Sequence, residues 1–185
     1  MALNQSDLYF LEILGADDEV GHYAAASTSA HFLLIIQATV LGLIAPRLRP
    51  ALDEGAAAGK AVYREGLRLV LMAVVPAAVV VTAAANPILS LFGPTFVDAQ
   101  GELLWLVAGN AAWATAALAA LWLQYTGRAP LVLGVTIATL VLDSCLNLVL
   151  IPRLGMHGAA VSTAATLAAA AATLVVLRRR ALRAA

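Results

Sequence analysis

Residues 22–44, 69–92 and 103–125 contain no Asp, Glu, Lys or Arg. Each is longer than the roughly 20 apolar residues a helix needs to cross a hydrocarbon core about 30 Å thick. Residues 131–151 form a fourth such window interrupted only by Asp143, and residues 159–177, mostly Ala, Val, Leu and Thr, form a fifth. The stretch Leu3 to Leu14 is also apolar but short, and it carries Asp7 and Glu12; it reads as half of a span. Backbone N–H and C=O groups find no water in hydrocarbon, so spanning segments must satisfy them internally and become helices. The sequence therefore predicts an all-α, polytopic membrane helical bundle of about five full spans plus one partial N-terminal helix.

Composition closes off the alternatives. With 62% hydrophobic residues, 12% charged residues and a mean hydropathy of +0.90, the chain lies far from the roughly 25% charged residues of soluble domains. Eleven basic and eleven acidic residues cancel, which leaves no global field to attract a polyanion, so nucleic acid is not an expected partner. The single cysteine, Cys145, has no intramolecular disulfide partner and no redox or metal spacing around it. H-E-x-x-H, G-x-S-x-G and Walker A patterns are missing, as is any close carboxylate pair with a histidine, so no enzyme, cofactor or metal is expected. The N-terminus lacks the basic region, clean apolar run and small-residue site of a signal peptide.

Basic residues sort the connections. The segments 15–21 and 93–102 have none, whereas residues 45–68 hold Arg47, Arg49, Lys60, Arg64 and Arg68, residues 126–130 hold Arg128, and the tail holds Arg178, Arg179, Arg180 and Arg183. Only Arg153 breaks the alternation. Lys and Arg are retained on the cytoplasmic side, so the 45–68 connection and the C-terminus are expected there, with the tail arginines anchoring topology on anionic lipid. The 45–68 connection is expected to be a solvated loop carrying a short surface helix. Pro76 and Pro87 fall inside the 69–92 window, where each removes a backbone hydrogen bond.

Ionisable and polar groups in spans are costly and mark cavities or partners. Thr136, Thr139, Asp143 and Asn147 recur at three or four residues and form a polar stripe on one helix face. Two readings stand for it: the lining of a hydrophilic pathway in which Asp143 takes up a proton or an ion, or hydrogen-bonding glue between helices. Ser162, Thr166 and Thr173 make a weaker stripe best read as packing. Asn110 and Gln124, on one face with Trp113 near, carry the same two readings. His31 follows Tyr23 and Ser27 at four-residue steps and is read first as a hydrogen-bonded packing residue, with proton shuttling as the alternative. Trp105, Trp122 and Tyr125 lie near window ends, where amphipathic rings prefer the interface.

Three stretches carry a resemblance: residues 20–26 (VGHYAAA), residues 91–99 (LFGPTFVDA), and residues 147–160 (NLVLIPRLGMHGAA). The last is similar to an N-x-x-L-I-P-x-x-G-x-x-G-A-A signature, and together they resemble the polysaccharide (O-antigen type) flippases of the MATE-like multidrug/oligosaccharidyl-lipid/polysaccharide exporter superfamily. In this signature Pro152 is expected to stop one helix, Gly155 and Gly158 to turn the chain, and Ala159–Ala160 to start a closely packed next helix. The resemblance implies two lobes of six or more helices around a central cavity, through which a lipid-linked oligosaccharide passes from the cytoplasmic to the outer leaflet. Residues 1–185 would be a single transmembrane domain matching the second lobe from midway through its first helix, with the first lobe absent. Asp7 would fall in that interrupted helix, where relatives often carry an acidic residue; Asp143 matches no motif of the family.

The expected setting is the bacterial cytoplasmic (inner) membrane, with membrane lipid, a lipid-linked oligosaccharide, and a first lobe or second copy of the chain as partners. A drug/cation antiporter lobe and a non-transporting membrane subunit of an exopolysaccharide assembly complex are the alternatives.

Overall fold

A computed structural model describes residues 3–14 and 17–183 of the chain. They form α1 (Leu3–Leu14), α2 (Asp17–Glu54), α3 (Ala56–Ala83), α4 (Ala85–Ser90), a 3₁₀ turn (Pro94–Ala99), α5 (Gln100–Tyr125) and α6 (Ala129–Arg183). Among the described residues, four helices are long and apolar enough to cross a membrane. They are α2, α3, α5 with its leading 3₁₀ turn, and α6. The windows 22–44, 103–125, 131–151 and 159–177 thus lie in helices, as hydrocarbon burial of a backbone requires.

The 55 residues of α6 are not one rod. At Gly155 the backbone takes φ 57°, ψ −138°, a combination open in practice only to glycine, and the two arms, residues 129–154 and 156–183, fold back along each other. Their antiparallel course is visible in cross-contacts: Ser162 and Thr166 of the second arm reach the Asp143 carboxylate of the first. A Cβ on Gly158 would stand 2.5 Å from the Leu150 carbonyl oxygen. The roles within the 147–160 stretch therefore differ from expectation. Pro152 stays inside the helix, Gly155 alone makes the break, and Gly158 is helical and small because the opposite backbone leaves no room for a side chain.

The 45–68 connection also differs from expectation. Helix α2 continues through Pro46 and Pro50 to Glu54, and α3 begins two residues later, after Gly55 at φ 135°. No solvated loop intervenes. The segment stays helical because it has something to bury: Leu48, Ala51 and Tyr63 are 0%, 7% and 5% exposed. Arg47 and Glu65 join α2 to α3 through two parallel bonds of 2.7 and 2.9 Å. The 69–92 window is likewise divided, since α3 runs through Pro76 and ends at Ala83, leaving Pro87 in α4.

Helix α5 is the centre of the bundle. Its most apolar window is 61% buried, against 22% for those of α2 and α3. It meets the second arm of α6 at near backbone contact, where a Cβ on Gly109 would lie 2.7 Å from the Ala164 Cα; small residues allow such approach between membrane helices. One apolar core joins Leu11, Leu33, Ile44, Val70, Leu103 and Leu118. A second joins Ala116, Leu123, Val132 and Leu174 between α5 and α6. Outward-facing Phe32, Met72, Val79, Leu133 and Ile137 are more than half exposed and form the belt a bilayer would cover.

The ends of the bundle differ in charge. At one pole, residues 52–56, 122–128 and 181–182 meet around a common crevice. Arg178 lies over the Tyr63 ring at 3.2 Å and near the Trp122 ring at 4.9 Å. Ten of the eleven basic residues fall in the stretches that meet at this pole, nine in the flanking parts of α2, α3 and α6 and Arg128 in the α5–α6 turn. At the other pole, His22 stacks on Phe96 with ring centroids 4.7 Å apart, Glu19 meets Met156, and Glu102 meets His157. Trp122 lies at this pole but is 3% exposed, edge-on to Tyr63, because neighbouring helices close over it.

Candidate functional site: two buried carboxylates between α1, α2 and α6

Asp7 and Asp143 are separated by most of the chain, yet both are buried, at 2% and 1% exposure. Three elements bring them together. Asp143 projects from the first arm of α6 toward the second, and α1 lies across both arms with Asp7 facing in. The Ser6 hydroxyl stands 3.2 Å from Asp7 Oδ1 and 3.4 Å from Asp143 Oδ2, so a single side chain spans the two acids.

Hydroxyls and one amide surround them. Asp143 Oδ1 accepts from Thr166 at 3.1 Å and Ser162 at 3.3 Å, and its Oδ2 accepts from Asn147 Nδ2 at 3.0 Å. Asp7 Oδ2 accepts from the Tyr23 hydroxyl of α2 and from Thr163 of α6, both at 2.8 Å. The Asn147 side chain is wholly buried, and its Oδ1 has no hydrogen-bond partner among the described residues. Neither carboxylate forms an ion pair among the described residues.

Magnitudes decide what this arrangement means. An intramembrane carboxylate costs about 2.5–3.5 kcal/mol on insertion scales, while a hydrogen bond between membrane helices contributes about 0.6 kcal/mol on average. Three or four such bonds recover roughly 2 kcal/mol per acid, less than the desolvation cost, and supply no counter-charge. The groups that donate to the two carboxylates are hydroxyls and the Asn147 amide nitrogen, with no thiol, thioether or imidazole among them. That set suits a proton or a hard cation such as Na⁺ rather than a soft transition metal. Among the described residues no group of three or more His, Cys, Asp or Glu stands together.

Of the stripe read from the sequence, Asp143 and Asn147 belong to the cluster. Thr139 is buried one turn away, with its hydroxyl on the Val135 carbonyl. Thr136 does not belong: it is exposed and bonds back to Val132, because the stripe drifts around the helix and leaves the inter-arm seam. Ser162 and Thr166, read as packing residues, are direct partners of Asp143, while Thr173 is exposed and bonded to Ala169. Ser6 and Thr163 were not singled out by periodicity at all. The adjacent Ser162–Thr163 pair was the available signal, since neighbours on a helix point about 100° apart and serve two different acids.

The other candidates lie elsewhere. His31 is half-buried on α2, 3.5 Å from the Ser27 hydroxyl, on the same helix face as Tyr23. Asn110 is 3% exposed in α5, beside the Gly109–Ala164 contact, and no side-chain hydrogen bond among the described residues joins it to the carboxylates. No protein family, curated protein or solved structure matches the chain.

Proposed function

We propose that this chain is one lobe of an ion-coupled membrane transporter for a lipid-linked oligosaccharide, with the Asp7–Asp143 cluster as its coupling-ion site. The observation that carries the transporter reading is the pair of buried carboxylates, from α1 and α6, held by neutral partners only. Ionisable side chains buried among transmembrane helices mark ion and proton pathways in pumps and transporters. Binding H⁺ or Na⁺ there would supply the missing positive charge and draw α1, α2 and both arms of α6 together. Release would loosen them, which gives an ion gradient purchase on helix positions.

The substrate class rests on the resemblance of residues 147–160 to the polysaccharide flippases. In this reading each arm of α6 crosses the bilayer, giving five spans with α1 as a partial one. The pole rich in Lys and Arg faces the cytoplasm together with the C-terminus, and a first lobe or a second copy forms the opposite wall of the pathway.

The test is reconstitution of the chain, joined to the first lobe of a polysaccharide flippase, in liposomes bearing a fluorescent lipid-linked oligosaccharide on one leaflet. Flipping should follow an imposed Na⁺ or H⁺ gradient and be lost in Asp143→Asn. Gradient-driven movement of an organic cation in place of the sugar-lipid would give the drug/cation antiporter reading instead. Flipping unaltered by Asp143→Asn would remove the cluster from the mechanism.

A further inference from the structure

The basic pole holds a crevice whose two charged wall residues have opposite signs. The ends of α2, α5 and α6 enclose about 370 Å³ there, with Asp53 on one wall, Arg128 at the α5–α6 turn, and Trp122, Tyr125, Leu52 and Leu182 between them. We propose that this crevice is the headgroup site of a phosphoethanolamine lipid.

Each part of the wall matches one part of that headgroup. Arg128 is half-buried and makes no ion pair among the described residues. Its backbone N–H is tied to the Leu123 carbonyl at 2.8 Å, which fixes where the guanidinium starts. A planar guanidinium matches phosphate oxygens two at a time. Asp53 has one ionic contact, Arg49 Nε at 3.6 Å, with both side chains largely exposed. An exposed pair of this kind is weak because water screens it, so the carboxylate stays able to accept from an ammonium.

The rigidity of the floor comes from Trp122. It is held edge-on by Tyr63 with centroids 5.8 Å apart and by the Arg178 guanidinium at 4.9 Å. Leu52 and Leu182, half-buried against the apolar core, add apolar wall beside the charges, which favours a lipid over the free headgroup. Phosphoethanolamine offers both a phosphate and a primary ammonium with three N–H donors. Choline has the charge without the donors, and a glycerol headgroup has no cation to meet Asp53. The inference needs only membrane embedding of the helices and is independent of the transport reading.

The experiment is native mass spectrometry of the delipidated chain offered phosphatidylethanolamine, phosphatidylcholine and phosphatidylglycerol with identical acyl chains. The expected result is several-fold greater retention of the ethanolamine lipid than of either other. Asp53→Asn should erase its margin over the choline lipid, Asp53→Glu should restore it, and Arg128→Gln should weaken all three. Arg64→Gln, on α3 outside the crevice, should leave the margin intact, and soluble O-phosphoethanolamine should fail to displace the lipid. Equal or stronger retention of phosphatidylglycerol, or a margin over choline that survives Asp53→Asn, overturns the proposal. So does a margin lost equally in Arg64→Gln. Displacement by soluble O-phosphoethanolamine would show a site for the free headgroup and overturn the lipid assignment.

Discussion

The Glu19 carboxylate of α2 accepts a hydrogen bond from the backbone N–H of Met156 at 2.9 Å, one residue beyond the Gly155 break. The first N–H groups of a helix have no partner within it, so this carboxylate caps the second arm of α6 as an N-cap side chain would, but from a different helix. The next residue is held as well, by His157 Nδ1 donating to Glu102 of α5 at 3.2 Å. Two carboxylates from two helices thus grip consecutive residues at the point where the chain reverses.

That grip ranks three substitutions. Gly155→Ala forces a side chain into a backbone region reserved for glycine and drives its Cβ into the Glu19 carboxylate. The strain should cost about 1–3 kcal/mol. Glu19→Ala removes the cap and should cost about 1 kcal/mol, while Glu19→Gln keeps an acceptor oxygen and should cost less. Thermal unfolding in detergent should rank them in that order; Gly155→Ala unfolding like the parent would mean that the reversal does not depend on this conformation.

For the carboxylate cluster, the expected behaviour is linkage between cation binding and stability. A ligand bound only by the folded chain at 100 times its dissociation constant stabilises by about 2.7 kcal/mol. Raising Na⁺, or proton concentration in its absence, should raise the unfolding temperature of the parent and leave Asp7→Asn and Asp143→Asn flat. A cation response that survives in both variants would place the ion elsewhere.

Close packing of α5 against α6 makes Gly109 intolerant. A Cβ there meets the Ala164 backbone at 2.7 Å, with no flexible side chain to yield, whereas Gly42 and Gly101 face open space. Gly109→Ala should destabilise by about 1–3 kcal/mol, and Gly42→Ala and Gly101→Ala should be neutral or mildly stabilising. Equal effects at all three positions, measured by denaturation, would contradict the packing described.

Segregation of the basic residues predicts the orientation. In a Cys145→Ala background, needed because the native thiol is exposed, cysteines at positions 56 and 182 should be shielded from an impermeant thiol reagent added outside intact cells. A cysteine at 97 should react. Labelling of 56 and 182 in place of 97 would invert the topology.

Length and near-freedom from charge determined by themselves that residues 22–44, 103–125, 131–151 (with only Asp143) and 159–177 would be helical, because a backbone in hydrocarbon has few other solutions. The alternation of Lys and Arg likewise foretold that one pole would be basic. Helix ends were less legible. The 45–68 stretch reads from its mixed charges as a solvated connector with a short surface helix, yet it is helical almost throughout, since Leu48, Ala51 and Tyr63 gain burial that composition does not reveal. At the cluster, period-3.6 spacing located Asp143 and Asn147 on one face, but it could not tell a lumen from a seam. It also carried Thr136 along although that residue turns outward. Only the fold-back at Gly155 and the crossing of α1 decided that Asp7, 136 positions before Asp143 in sequence, would share Ser6 with it. Periodicity records which side of one helix is polar; which other helix meets that side depends on chain reversals and close backbone approach, and these exist only in three dimensions.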